Sequence, residues 1–173
     1  MMKTFPQLIF GYHGCEQDVA ERIVLGRDAL KASENSWDWL GTGAYFWEGA
    51  PDRARDWANK HCKSPAVLGA VIDLGRCMNL MDVAEQRMLQ RTFTELHTRI
   101  DLPINKRHCH DLDCLVVNRA CDFYMRSGRA FDTVRGAFPE GDPVFADSKI
   151  LTMTHVQICV RNPEVVVAYF LPR

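Results

Sequence analysis

Two short segments hold most of the visible capacity of this chain for chemistry: Tyr12-His13-Gly14 and Leu40-Gly41-Thr42-Gly43-Ala44-Tyr45-Phe46. The first closes an apolar run over residues 8–12 that reads as a strand. The second is a Gly-x-Gly turn that leads straight into an aromatic pair. His13 offers a ring nitrogen, Gly14 a backbone with no side chain above it, and Tyr45 an aromatic face. Amide hydrogen bonds, a hydroxyl hydrogen bond and a ring to stack on are what gripping a nicotinamide riboside requires.

Those residues need elements to hold them. Residues 17–30 place Val19, Ala20, Ile23, Val24 and Ala29 at roughly helical spacing, with Glu16 and Asp18 near the start, where the helix dipole favours acid. Pro51-Asp52-Arg53 predicts a helix start, with the helix running through Ala54, Trp57 and Ala58. Residues 66–74 read as a strand, and residues 79–82 as a short extended piece after a turn at Gly75. Met88, Leu89, Phe93 and Leu96 make residues 85–100 an amphipathic helix. Leu115, Val116, Ala120, Phe123 and Tyr124 predict another over residues 113–125.

After Ser127-Gly128 the period changes. Residues 131–134 are strand-like, and residues 136–149 form a long loop rich in Gly, Pro and Asp, of a kind that often carries function. Residues 154–160 alternate, with Val156, Ile158 and Val160 on one face and His155, Gln157 and Cys159 on the other. Asn162-Pro163-Glu164 is a turn. Residues 165–170 are continuously apolar, the pattern of a strand in the middle of a sheet. Strands at both ends with helices between them give an α+β fold over a single domain, residues 1–173.

Composition bounds the rest. The chain has 173 residues, 47% of them hydrophobic, enough for a sizeable core. Lys plus Arg number 21 against 22 Asp plus Glu, so no global charge recommends a nucleic-acid or membrane surface. The apolar stretches fall well short of the ~20 residues a spanning helix needs. Residues 1–6, Met1-Met2-Lys3-Thr4-Phe5-Pro6, lack the apolar core and cleavage site of a signal peptide. Seven cysteines, an odd number without a compact framework, suit reduced thiols and a cytoplasmic location. His108-Cys109-His110 with Cys114 gathers four metal-ligating residues. Their spacing matches no zinc finger, and a buried helical cysteine row including Cys121 is the plainer account, so no metal is expected.

The two opening motifs resemble those of ADP-ribosyltransferases of the diphtheria-toxin and poly(ADP-ribose) polymerase type. That family carries a histidine, a tyrosine and usually a glutamate on three strands. The resemblance covers most of residues 8–81 and returns at residues 154–171. It implies a split, twisted, mainly antiparallel β-sheet core with flanking helices, and NAD as the substrate. It assigns His13 to a ribose hydroxyl, Gly14 to the nicotinamide amide, Gly43 to the cofactor turn, Tyr45 to stacking on nicotinamide and Trp57 to a second wall. At the third position, early in the penultimate strand, this sequence has Gln157. A glutamine still hydrogen-bonds a ribose 2′-hydroxyl, but it supplies neither a negative charge nor a general base. The departure argues against poly(ADP-ribose) elongation and leaves single transfer open. Proton removal then falls to another group, with Glu140, Asp142 and Asp147 in the preceding loop as candidates.

The resemblance thus implies a mono-ADP-ribosyltransferase acting on a macromolecule, protein or nucleic acid, and the neutral charge slightly favours protein. It suggests an intracellular toxin or phage-defence effector with an antitoxin or inhibitor as a possible partner. A nucleic-acid acceptor requires a basic stripe, for which Lys106, Arg107, Arg126, Arg129 and Arg135 are the candidates. Asp38 and Glu48 flank the Tyr45 turn as candidates to bind ribose or acceptor, with loop solvation the plainer expectation, and Arg135 and Ser148 are weaker phosphate or acceptor candidates. Three alternatives stay open: a catalytically weak NAD or ADP-ribose binding module, an NAD glycohydrolase, and a zinc-stabilised interaction domain.

Overall fold

The computed structural model of the chain describes residues 7–172, so the expectation about residues 1–6 lies outside the described residues. Strand β1 (Leu8–Glu16) is longer than its apolar run and carries His13 and Gly14 inside it. Its end is stitched down by Glu16, whose carboxylate accepts hydrogen bonds from the backbone N–H groups of Lys63 and Ser64, both at 2.8 Å. These two residues precede β3 (Pro65–Asp73), which runs antiparallel to β1 from Leu8↔Asp73 to Glu16↔Pro65. Helix α1 (Gln17–Val24) stops well short of residue 30, because the chain turns back with Leu25 and Gly26 N–H bonded to the Glu21 and Ile23 carbonyls. Strand β2 (Ala44–Glu48) follows the Gly-x-Gly turn, and α2 (Pro51–His61) begins with the expected proline.

Short β4 (Cys77–Asn79) precedes α3 (Val83–His97), which Asp82 caps by accepting from Ala84 N–H at 2.8 Å. Helix α4 (Asp111–Arg126) is capped from a distance, with Asn105 Oδ1 accepting from the Leu112 and Asp113 N–H groups. Strand β5 (Thr133–Phe138) takes up the first part of the expected loop. Residues 139–154 then fold back on themselves, with Met153 N–H bonded to the Glu140 carbonyl and Thr152 N–H to that of Asp142. Strand β6 (His155–Val160) and, after a 3₁₀ turn, β7 (Val166–Phe170) complete the chain.

The fold is α+β. One seven-stranded sheet has the order β4-β5-β6-β2-β1-β3-β7, antiparallel throughout except for the β4–β5 pair. The last strand corrects an expectation: β7 lies at the sheet edge, paired only with β3, and Val167 is exposed. Its apolar run reflects packing of Val166 and Tyr169 against one core, with the intervening valine left in solvent.

Helices cover both faces. On the front, α4 packs Val117, Ala120 and Cys121 against Leu40, Met78, Val134 and Cys159. Helix α2 crosses β1 and β3 on that face as well. On the back, Phe46, Ala70, Ile72 and Ile158 form a second core, and α1 adds Ala20 and Ile23 against Cys15 and Leu68. Among the described residues no helix is long and apolar enough to cross a membrane, and all seven cysteines are free thiols.

Candidate functional site

The sheet opens between its two central strands. Strands β1 and β2 share only the pairs Gly11↔Glu48 and Tyr12↔Trp47, whereas β2 follows β6 from Ala44 to Trp47. Beyond Tyr12 the Tyr45 carbonyl has no β1 backbone partner, and His13 Nδ1 donates to it at 2.7 Å. A carbonyl only accepts, so the hydrogen is on Nδ1 and Nε2 is left as an acceptor. Burial lowers the pKa of His13, outweighing the carbonyl bond, so the ring is neutral at pH 7.

A cleft of about 670 Å³ lies on the front face, between α2 and the loops that precede β2 and α4. All four tryptophans of the chain (Trp37, Trp39, Trp47 and Trp57) line it, as do five of its six histidines, all but His97. A pocket of this size, mostly aromatic with a few convergent polar groups, has the make-up of a small-ligand site.

Tyr45 is held rigidly. Its hydroxyl donates to the Gly41 carbonyl at 2.8 Å and accepts from Leu40 N–H at 2.9 Å. Gly41 has φ +83°, a left-handed conformation that the turn needs and that a side chain would strain. From α4, Asn118 Oδ1 accepts from Thr42 N–H and from Arg161 Nη1, so the whole turn is tied to two elements. Burial raises the pKa of Tyr45 far above its ordinary value, so the ring serves as a neutral surface and not as a phenolate.

Gly14 sits where α2 crosses β1. A Cβ there would strike the Ala54 carbonyl oxygen and approach Ala58 N and Trp57 Cε3, both at 3.1 Å. Only backbone lines the cleft at this position, and Trp57 stands beside it, stacked on His61 at 4.4 Å.

Gln157 is also in the cleft, and its amide is oriented by two neighbours. Oε1 accepts from Trp39 Nε1 at 2.7 Å, and Nε2 lies 2.9 Å from His155 Nε2. His155 Nδ1 donates to the Met153 carbonyl at 2.8 Å, so its Nε2 is the acceptor that Gln157 Nε2 meets. Burial lowers the pKa of His155 as well. Next to it, Arg53 Nη2 donates to Glu140 Oε2 at 2.6 Å, and that oxygen is 3.8 Å from His155 Nδ1.

The cleft therefore gathers His13, Gly14, Tyr45, Trp57 and Gln157. Of the three loop carboxylates proposed as proton acceptors, only Glu140 reaches it. Gly43 does not line the cleft. A Cβ there would meet Cys159 Sγ and Val160 O, so this glycine serves close β2–β6 packing. Asp38 lines the cleft as a buried residue, not a solvated one, accepting from Asn35 N–H at 2.7 Å with its pKa raised by burial. Glu48 and Arg135 are bonded to each other in a two-point ion pair, outside the cleft, and Ser148 is buried within its own loop.

The basic stripe is dispersed. Arg107 lines the cleft, Arg126 lies along the α3–α4 groove, Arg129 sits over the Tyr124 ring, and Arg135 faces Glu48. Among the described residues no three His, Cys, Asp or Glu side chains come together as a metal site.

No protein-family model matches the chain, and no curated protein is significantly similar to it.

Sequence reasoning missed Trp39, Trp47, Arg53 and His155 as site residues. Strand periodicity contained a signal for two of them, because Trp47 is two residues from Tyr45 and His155 two from Gln157 on the same strand faces. Chemically, the cleft offers stacking surfaces, a fixed imidazole acceptor, an oriented carboxamide and one half-exposed carboxylate held by an arginine.

Proposed function

We propose that the cleft binds NAD and that the chain is a mono-ADP-ribosyltransferase acting on a macromolecule. The observation that carries this reading is the placement of His13, Tyr45 and Gln157 on three adjacent strands, β1, β2 and β6, around one opening in the sheet. Their order, and the position of Gln157 early in the penultimate strand, agree with what the ADP-ribosyltransferase resemblance implies. The gap between β1 and β2 agrees with the split sheet of that family.

In this reading the nicotinamide ring lies on Tyr45 with Trp57 as a second wall, and its amide meets Gly14 backbone. His13 Nε2 accepts from a ribose hydroxyl, and Gln157 holds the ribose by its remaining hydrogen-bonding capacity. The glycosidic carbon–nitrogen bond breaks, its electron pair leaves with nicotinamide, and the ribose carbon becomes cationic. The acceptor nucleophile then bonds to that carbon and loses its proton to Glu140. Fixed dipoles aimed at the developing charge supply the stabilisation.

A second reading, an NAD or ADP-ribose binding module, is favoured by the missing charge at Gln157. A lysate incubated with the chain and NAD labelled in its adenylate part separates the two. Label in a protease- or nuclease-sensitive product is the expected outcome, and the sensitive fraction names the acceptor class. NAD consumed with no labelled macromolecule indicates a glycohydrolase, and NAD bound but intact indicates a binding module.

A further inference from the structure

Among the described residues only two buried side-chain polar atoms lack a hydrogen-bond partner, Trp47 Nε1 and Arg53 Nε, and both residues line the same cleft. A buried donor left unpaired forfeits its hydration without replacement, and folded proteins rarely tolerate one without a reason. Two of them in one cleft point to a ligand that accepts from both.

Their surroundings define its chemistry. The Trp47 ring is 6.2 Å from the His155 ring, and Glu140 bridges Arg53 to the same imidazole, so Trp47, Arg53 and Glu140 are grouped around His155. Arg53 already faces Glu140 at 2.6 Å and Asp56 at 3.7 Å. A bare anion would bring further negative charge beside two carboxylates, whereas a neutral carbonyl takes the two N–H groups without that penalty. Glu140 Oε1 makes no hydrogen bond among the described residues, so the corner also presents an acceptor.

We propose that Trp47, Arg53 and Glu140 form a subsite for a neutral amide edge, a carbonyl next to an N–H, as in a primary carboxamide or a ring lactam. An ordinary trans peptide is a poor fit, since its C=O and N–H point in opposite directions. The proposal rests on the dinucleotide reading only in taking the substrate to occupy this cleft. Two sources carry the edge: the lactam of an acceptor base such as guanine, with the nicotinamide amide left on Gly14, or the carboxamide of nicotinamide itself, turned from the Gly14 backbone to this corner.

The test is calorimetric titration of the full chain with nicotinamide, guanosine and ADP-ribose, the last lacking any neutral amide edge. Trp47→Phe removes the indole donor, and Arg53→Lys keeps a cation for Glu140 while removing Nε. The wild type is expected to bind nicotinamide or guanosine, with affinity falling about tenfold in each variant and ADP-ribose affinity unchanged. Loss on nicotinamide assigns the edge to the dinucleotide, and loss on guanosine assigns it to the acceptor. Failure of the wild type to bind either amide-bearing probe, an unchanged affinity in the variants, or an equal loss on ADP-ribose overturns the subsite. A wild type that ignores ADP-ribose but shows the tenfold effect keeps the subsite and removes the dinucleotide reading.

Discussion

Tyr45 contributes two separable things, a ring face and a hydroxyl, and they belong to different links of the chain from sequence to function. The hydroxyl holds the Leu40–Gly41 turn, and the ring faces the cleft. Tyr45→Phe should therefore lose about 1–3 kcal/mol in urea unfolding, since it strands the Leu40 N–H and Gly41 carbonyl, yet keep most of the NAD affinity. Tyr45→Ala should lose the affinity too. Equal NAD affinity in the two variants would mean that nothing stacks on the ring.

Gln157 supports a second prediction through His155. In the wild type the lowered pKa of His155 makes its contribution to stability fully present above 6.5 and lost as pH falls. Gln157→Glu places a carboxylate against His155 Nε2, where only a protonated ring is a donor, and so raises that pKa. The loss of stability as pH falls is then smaller, because the protonated ring gains a partner in the fold. Unfolding midpoints at acid and alkaline pH should show the variant least stable relative to wild type on the alkaline side. Both residues sit on one strand face, as their alternation indicated. The Trp39 contact that orients Gln157 joins residues 118 apart, which no local pattern reveals.

Among the elements, α2 and β1 have the closest approach in the site. Gly14 lets the helix backbone lie against the strand, and its replacement by Ala forces a shift of α2 and of Trp57 with it. Gly14→Ala should cost about 1–3 kcal/mol in denaturant unfolding and weaken NAD binding together. A stable variant with full affinity would show that α2 does not set the cleft wall. Element identity was largely readable from periodicity: α2, α3, α4 and β6 lie within a few residues of their expected bounds. Two assignments were not. An apolar run such as that of β7 looks the same whether a strand is buried on both sides or lies at an edge with one valine exposed. Gly43 belongs to a turn motif, but which neighbour a glycine admits depends on the strand pairing, here β6.

For the whole molecule, strand order is what brings the site together, and it was not legible in the sequence. Placing β6 beside β2 sets Gln157 next to Trp47, and parting β2 from β1 opens the gap that His13 bridges. Composition was equally blind to the concentration of tryptophan and histidine in one cleft. That concentration has a global consequence, because His13 and His155 are both neutral in the fold with pKa values below 6.5. Stability should be full above 6.5 and fall as pH drops below it. His155→Gln should flatten that slope in thermal unfolding at a series of pH values, and an unchanged slope would place the acid sensitivity elsewhere.

Nicotinamide release from NAD by the purified chain, measured beside His13→Ala and Tyr45→Ala, bears most directly on the cleft as a dinucleotide-cleaving site. Release by the wild type, slowed about a hundredfold or more in each variant, is the expected result. Absence of release by the wild type, or release at the same rate in all three proteins, would contradict it.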